Sequence, residues 1–290
     1  QPFRSNFGKG CEVIEARHRC IAHAVRVSCF SLVAATMFVS CSGARSAVVP
    51  DESVPARVFG ARVLSDSAWD WRITFAPDER TIYFSRSTGF FPATRQATIY
   101  MSTLPAGGTW STPAVAPFSG TYPDMDPVLT HDGSELYFSS IRPDSAGRRE
   151  DLDIFVVRRD RSSWGTPQRL GSEVNTELDE LYPSITDSGT LYFASGPLRP
   201  DDGRDFDIYS SARSQNGGFS ARSRAEGVNI DLPFDASAPT ADWDFNPEIS
   251  RDGTTLLFTS HRAGGFGYGV TPPEAPGAPA GATCHTVLER

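Results

Sequence analysis

Pro127-Val-Leu-Thr-His-Asp-Gly-Ser-Glu-Leu-Tyr-Phe-Ser139 carries an apolar start, a polar turn on Asp132-Gly133, and an aromatic run ending in a small hydroxyl residue. Asp-Gly supplies the backbone angles of a tight hairpin turn, so the stretch reads as two antiparallel strands. The pattern returns in Ile73-Thr-Phe-Ala-Pro-Asp-Glu-Arg-Thr-Ile-Tyr-Phe-Ser85, in Pro183-Ser-Ile-Thr-Asp-Ser-Gly-Thr-Leu-Tyr-Phe-Ala194 and in Pro247-Glu-Ile-Ser-Arg-Asp-Gly-Thr-Thr-Leu-Leu-Phe-Thr259. Phe84, Phe138, Phe193 and Phe258 are the equivalent aromatic positions, 54, 55 and 65 residues apart, with an insertion around 231–241 lengthening the last interval. Self-similarity at a near-fixed spacing marks an architecture in which each unit leans on its neighbours.

A second half follows each of the first three hairpins. Thr98-Ile99-Tyr100, Asp153-Ile154-Phe155 and Asp207-Ile208-Tyr209 open a third strand. Trp110, Trp164 or Phe219 then precedes a short fourth strand such as Pro167–Gly171. Four strands per unit of roughly 40–55 residues is a propeller blade. The expected fold class is therefore all-β, a β-propeller of four-stranded blades over residues 55–269, with four repeats visible and the last incomplete. Pro55–Leu64 aligns with a fourth strand and is expected to complete the last blade, leaving no exposed edge.

The Asp-Gly-Ser-Glu-Leu-Tyr-Phe-Ser-Ser core (132–140), the Asp-Ile-Tyr strand and Val174-Asn175-Thr176-Glu177-Leu178-Asp179-Glu180 resemble the WD40-like propeller repeat of TolB and other bacterial envelope proteins. The resemblance implies a propeller in the periplasm or cell envelope. It is to the repeat and not to full-length TolB, whose separate α/β domain finds no room between Cys41 and Pro55. Propellers carry many functions, so the resemblance speaks for fold more than for activity.

The flanks read differently. Val27–Val39 is an apolar stretch behind Arg17, Arg19 and Arg26, as in an export signal. Phe38-Val39-Ser40-Cys41 resembles a bacterial lipobox, which makes Cys41 a candidate lipidation site and the only membrane attachment expected; Phe38 stands where the pattern prefers Leu. Residues 1–41 are thus read as a leader, 42–54 as a tether, and the Pro-rich 270–290 as an atypical, disordered tail. A formal net charge of -8 without a Lys/Arg block in 55–269 excludes a nucleic-acid footprint and leaves cationic or neutral partners open.

For chemistry, Asp70, Asp124, Glu180 and Asp244 each stand three residues before the first repeat strand, and Asp126 and Asp179 thicken the same band. Equal register places them at equal height, so they are expected as an axial acidic ring that binds a cation, a basic peptide or a sugar. The competing reading has each one capping backbone N–H groups between blades. Asp151 with Asp153, and Asp205 with Asp207, stand at alternate strand positions and form weak candidates for calcium. No cofactor is otherwise expected. No nucleophile elbow, zinc motif or phosphate loop occurs. His131 falls in a turn and His261 after a strand, so no catalytic triad can be assembled. The favoured function is a non-catalytic envelope binding protein for a protein or glycan partner; the alternative is a propeller-type carbohydrate-active hydrolase or lyase, which needs two converging carboxylates.

Overall fold

The computed structural model describes residues 59–60, 62–65, 67–89, 94–143, 147, 151–161, 163–197, 205–231, 242–261 and the strand 284–289. The leader, Cys41 and the tether lie outside the described residues.

Each repeat folds as one antiparallel sheet. The first holds β1 (Trp69–Phe75), β2 (Thr81–Ser87), β3 (Thr98–Thr103) and β4 (Ala114–Val115). The second holds β5 (Asp124–Leu129), β6 (Glu135–Ser140), β7 (Asp153–Asp160), β8 (Ser163–Trp164) and β9 (Gln168–Arg169). The third holds β10 (Asp179–Ile185), β11 (Leu191–Gly196), β12 (Asp207–Ser211) and β13 (Ser223–Arg224). The fourth, incomplete as expected, holds β14 (Asp244–Ile249), β15 (Thr255–Ser260) and β16 (Cys284–Glu289). β1 packs on β5, β5 on β10 and β10 on β14, so the sheets follow one another as propeller blades.

Sequence repeat becomes structural repeat at single-residue precision. Phe84 pairs with Tyr100, Phe138 with Phe155, and Phe193 with Tyr209, and each pair of rings stacks at about 6 Å. Phe84, Phe138, Phe193 and Phe258 are all buried, each contributing about 1.5–3 kcal/mol of apolar burial. Gly133, Gly189 and Gly253 turn the hairpins at φ of 69°, 85° and 73°, while Glu79 takes φ 53° at the matching point of the first repeat. That left-handed non-glycine position costs about 1–2 kcal/mol. Asp78 offsets it by accepting the N–H of Arg80 and Thr81 at 2.8 Å.

The chain crosses between sheets under the same rule each time. Asn175 Oδ1 accepts Ile154 N–H at 2.8 Å and Asn229 Oδ1 accepts Ile208 N–H at 2.7 Å, while Ser119 Oγ accepts Ile99 N–H in the first sheet. Both asparagine amides also donate back to carbonyls of the strands they leave. A buried amide thus replaces the ladder that the crossover interrupts.

Two expectations about the ends change. The described part of Pro55–Leu64 is a turn, with Val63 and Leu64 N–H on Gly60 C=O, and Leu64 packs on Ile82 and Phe84 of the first sheet. Its apolar side chains thus find the nearest sheet in sequence instead of the last one. The 270–290 tail, expected to be disordered, supplies β16, with Thr286 opposite Phe258. β15 leaves an open row of backbone donors and acceptors, and Thr-Val-Leu at 286–288 is a run suited to pair with it.

Candidate functional site

Five of the six band carboxylates are buried and Asp70 is exposed. Asp124, Glu180 and Asp244 are buried, and each ties the segment entering its own sheet. Asp124 accepts from the Ser119 and Ser140 hydroxyls and pairs with Arg142. Glu180 accepts Thr176 N–H at 2.9 Å and the Ser195 hydroxyl at 2.8 Å, and pairs with Arg222 at 3.0 Å. Asp244 accepts Ile230 N–H at 2.9 Å. Asp70, the exposed member, is gripped by the Arg86 guanidinium at 2.7 and 2.9 Å. Asp179 accepts Leu152 N–H at 2.9 Å and reaches Arg95 at 3.3 Å. Burial pushes Asp124 and Glu180 up from the ordinary carboxylate range, against the pull of their arginines and hydroxyl donors. At this register the side chains point into the crossovers, where unpaired backbone and hydroxyl donors need acceptors. In this structure the band carboxylates act as caps and ion-pair partners, with Asp124, Asp126, Asp179, Glu180 and Asp244 buried and Asp70 exposed.

The calcium candidates are also engaged. Asp153 accepts both forks of Arg169 at 2.6 and 2.7 Å, and Asp207 both forks of Arg224 at 2.7 Å. A planar guanidinium engages both oxygens of a carboxylate in this geometry. Asp151 and Asp205 stay half-buried beside them. Asp205 is pushed up to about 6 by burial and then by the Asp207 and Asp242 carboxylates. Among the described residues, no group of three or more His, Cys, Asp or Glu side chains is arranged to hold a metal.

What does converge lies two residues further along each first strand. Each of these strands slips register between Trp71 and Thr74, Met125 and Val128, Leu181 and Ser184, or Phe245 and Glu248. The residue inside each bulge is left-handed: Arg72 at φ 51°, Asp126 at 57°, Tyr182 at 55° and Asn246 at 54°. Bulges re-aim side chains, and here four of them turn toward one another from four sheets. Arg72 donates to Asn246 Oδ1 at 3.0 Å, to Glu248 Oε2 at 3.0 Å and to Pro183 C=O at 2.8 Å. Its guanidinium carbon lies 6.0 Å from the Tyr182 ring centroid. Asp126 accepts the Trp71 indole N–H at 2.8 Å and Tyr182 N–H at 3.4 Å, while its own N–H donates to Ser85.

Asp126 is buried, and burial pushes its carboxyl up to about 6, with the Arg72 charge and the Trp71 and Tyr182 donors opposing. Burial also raises the Tyr182 phenol. The cluster therefore holds one fixed cation, one carboxylate that titrates near neutrality, an amide, and two aromatic rings. Glu248 extends it into solvent, its side chain 55% exposed.

Of the residues expected from sequence, Asp126 alone belongs to this cluster. Arg72, Tyr182 and Asn246 were missed. Their signal was present: they share one repeat position with Asp126, and Pro follows that position at 127, 183 and 247. At this position all four residues differ.

No family model and no curated protein matches the chain. TolB from Acinetobacter baumannii superposes with a TM-score of 0.41 at 17% identity, over 69% of this chain and 40% of that one. A putative TolB from Agrobacterium tumefaciens gives 0.44 at 17%, over 69% and 57%. A Bacillus subtilis arabinanase gives 0.45 at 14%, over 76% and 72%. The chain thus spans about half the length of the two TolB structures. Likenesses this loose carry no activity across.

Proposed function

We propose that the chain is a non-catalytic binding protein of the bacterial cell envelope, with the Arg72–Asp126–Tyr182–Asn246 cluster as its ligand site. One observation carries this reading. The bulged, left-handed residue of each first strand differs in all four sheets, and these four side chains meet. A guanidinium with five donors, an amide that donates and accepts, and the faces of Tyr182 and Trp71 suit a hydroxyl-rich glycan or a polar peptide. The export-like leader and the lipobox-like Cys41 support an envelope location.

A hydrolase is the second reading, and the pair Asp126 and Glu248 favours it. One carboxylate is buried and titrates at about 6, the other is exposed, and both adjoin Arg72. Unequal environments of that kind separate an acid from a base. Incubating the immobilised protein with glycans released from bacterial envelope separates the two. Retained, intact glycan fits a binding protein, whereas new reducing ends in solution identify a hydrolase. Retention of nothing that Arg72→Ala would release refutes the site.

A further inference from the structure

The connection from β12 to β13 folds back on itself through Ser214-Gln-Asn-Gly-Gly218, closed by the bridge between Arg213 and Phe219. Gly217 N–H donates to Ser214 C=O at 3.0 Å, and Ser214 N–H to Gly218 C=O at 2.9 Å. Gly217 takes φ 83°, a left-handed value that favours glycine. Asn216-Gly217 is the one Asn-Gly pair of the sequence, and both residues are exposed.

The Asn216 side chain sets the chemistry of that pair. Its Oδ1 accepts Gly218 N–H at 3.1 Å and the Ser214 hydroxyl. The first of these bonds spans Gly217, so it folds the carboxamide over the Gly217 peptide nitrogen. Both donors meet the oxygen on which negative charge develops when a nucleophile adds to Cγ, as in an oxyanion hole. Gly217 brings no side chain to block the approach, and apart from its chain neighbours no heavy atom stands within 4 Å of where a Cβ would lie. Its N–H bond to Ser214 C=O lies in the peptide plane, which leaves the face of the nitrogen open to Cγ. Asn175, Asn229 and Asn246 differ. Their amides are held by backbone groups or by Arg72, and Thr, Ile or Pro follows them.

We propose that Asn216 is a self-modifying site, whose conversion to isoaspartate releases Arg213 from the turn. Gly217 N bonds to Asn216 Cγ, the Cγ–Nδ2 bond breaks, and Nδ2 leaves as ammonia with the proton that Gly217 N gives up. Water then opens the five-membered imide at either carbonyl, yielding aspartate or isoaspartate and one new negative charge. Isoaspartate routes the main chain through Cβ and Cγ, one methylene longer, and this pulls the turn's hydrogen bonds out of register. Arg213 depends on that turn. It donates to Gly217 C=O at 3.3 Å, lies 5.2 Å from the Phe219 ring centroid, and reaches Glu135 and the Tyr137 hydroxyl of the second sheet. The modification thus loosens a joint between the second and third sheets. It is separate from the central cluster and stands whether or not that cluster binds a ligand.

The test incubates the full folded chain at mildly alkaline pH and follows residues 214–219 by peptide mapping, with isoaspartate told from aspartate by its resistance to an aspartate-specific protease. The peptide Ser-Gln-Asn-Gly-Gly-Phe, copied from the same residues, runs beside it. Asn216 should convert in the folded chain at no less than the peptide's rate, with Asn175, Asn229 and Asn246 intact. Ser214→Ala should slow the folded chain about fivefold, the worth of one neutral hydrogen bond, and leave a peptide with the same change unaffected. Ser214→Thr keeps the hydroxyl and should keep the rate. The isoaspartate-bearing chain should melt below the fresh one, whereas Asn216→Asp, which adds the charge without lengthening the chain, should not. A folded chain that stays intact while the peptide converts, a Ser214→Ala rate equal to wild type, or melting unchanged after conversion overturns the proposal.

Discussion

Asp126→Asn isolates the energetic consequence of the central cluster. The Asp126 carboxyl is held at about 6 against 3.8 for a free one, which corresponds to about 3 kcal/mol between the neutral and the ionised fold. Below 3.8 both folded and unfolded chains hold the proton, and no difference arises. Between 3.8 and about 6 the unfolded chain ionises while the fold keeps its proton, so this residue's contribution falls as pH climbs. Above 6 the full loss of about 3 kcal/mol is present. The asparagine amide is neutral throughout; its one oxygen can still accept the Trp71 indole N–H, and the weaker 3.4 Å contact from Tyr182 N–H is lost at both pH values alike. Urea unfolding of both proteins at pH 4 and pH 7 measures the difference. The stability of Asp126→Asn relative to wild type should rise by about 2 kcal/mol from the lower pH to the higher, since at pH 4 the unfolded carboxyl is already partly ionised. A difference that stays flat, or moves the other way, would show that Asp126 is solvated or paired well enough to ionise freely, and the reasoning about the cluster would fail.

Three further outcomes follow from the geometry. Asn175→Ala strips partners from Ile154 N–H, Ile154 C=O and Leu170 C=O in a buried crossover and should cost about 3 kcal/mol in denaturant unfolding; a loss under about 1 kcal/mol contradicts the capping role. Because Arg169 and Arg224 hold Asp153 and Asp207, neither calcium nor EDTA should move the melting temperature, and a rise with calcium restores those aspartates as metal ligands. If Cys41 is lipidated, Cys41→Ala should shift the protein from membrane to soluble fractions; unchanged fractionation removes the anchor.

The fold was readable because the information that builds a blade is local and repeated. The Asp-Gly turn fixes the hairpin, Phe138 and its equivalents fix the buried face, and Val-Asn at 174–175 and 228–229 fixes the crossover. The candidate site was only partly readable. Equal register singles out Asp124 and its equivalents, but it does not show the bulge at Trp71–Thr74 and its counterparts, which re-aims the residues two positions further on. A slip of that kind is set by a left-handed residue, which Arg72, Asp126, Tyr182 and Asn246 do not announce by type. The Asp153–Arg169 fork was equally hidden. Its two halves lie on different strands, and only the register of β7 on β9 brings them together.

The most direct measurement of the central claim is retention of envelope glycan or protein by three immobilised proteins: wild type, Tyr182→Ala and Asp70→Asn. Tyr182 faces the cluster, whereas Asp70 belongs to the band that sequence alone singled out and is held by Arg86. Capture should be lost in Tyr182→Ala and kept in Asp70→Asn, with both variants folded by near-ultraviolet circular dichroism. Capture lost in Asp70→Asn and kept in Tyr182→Ala would return the site to the acidic band and contradict the account.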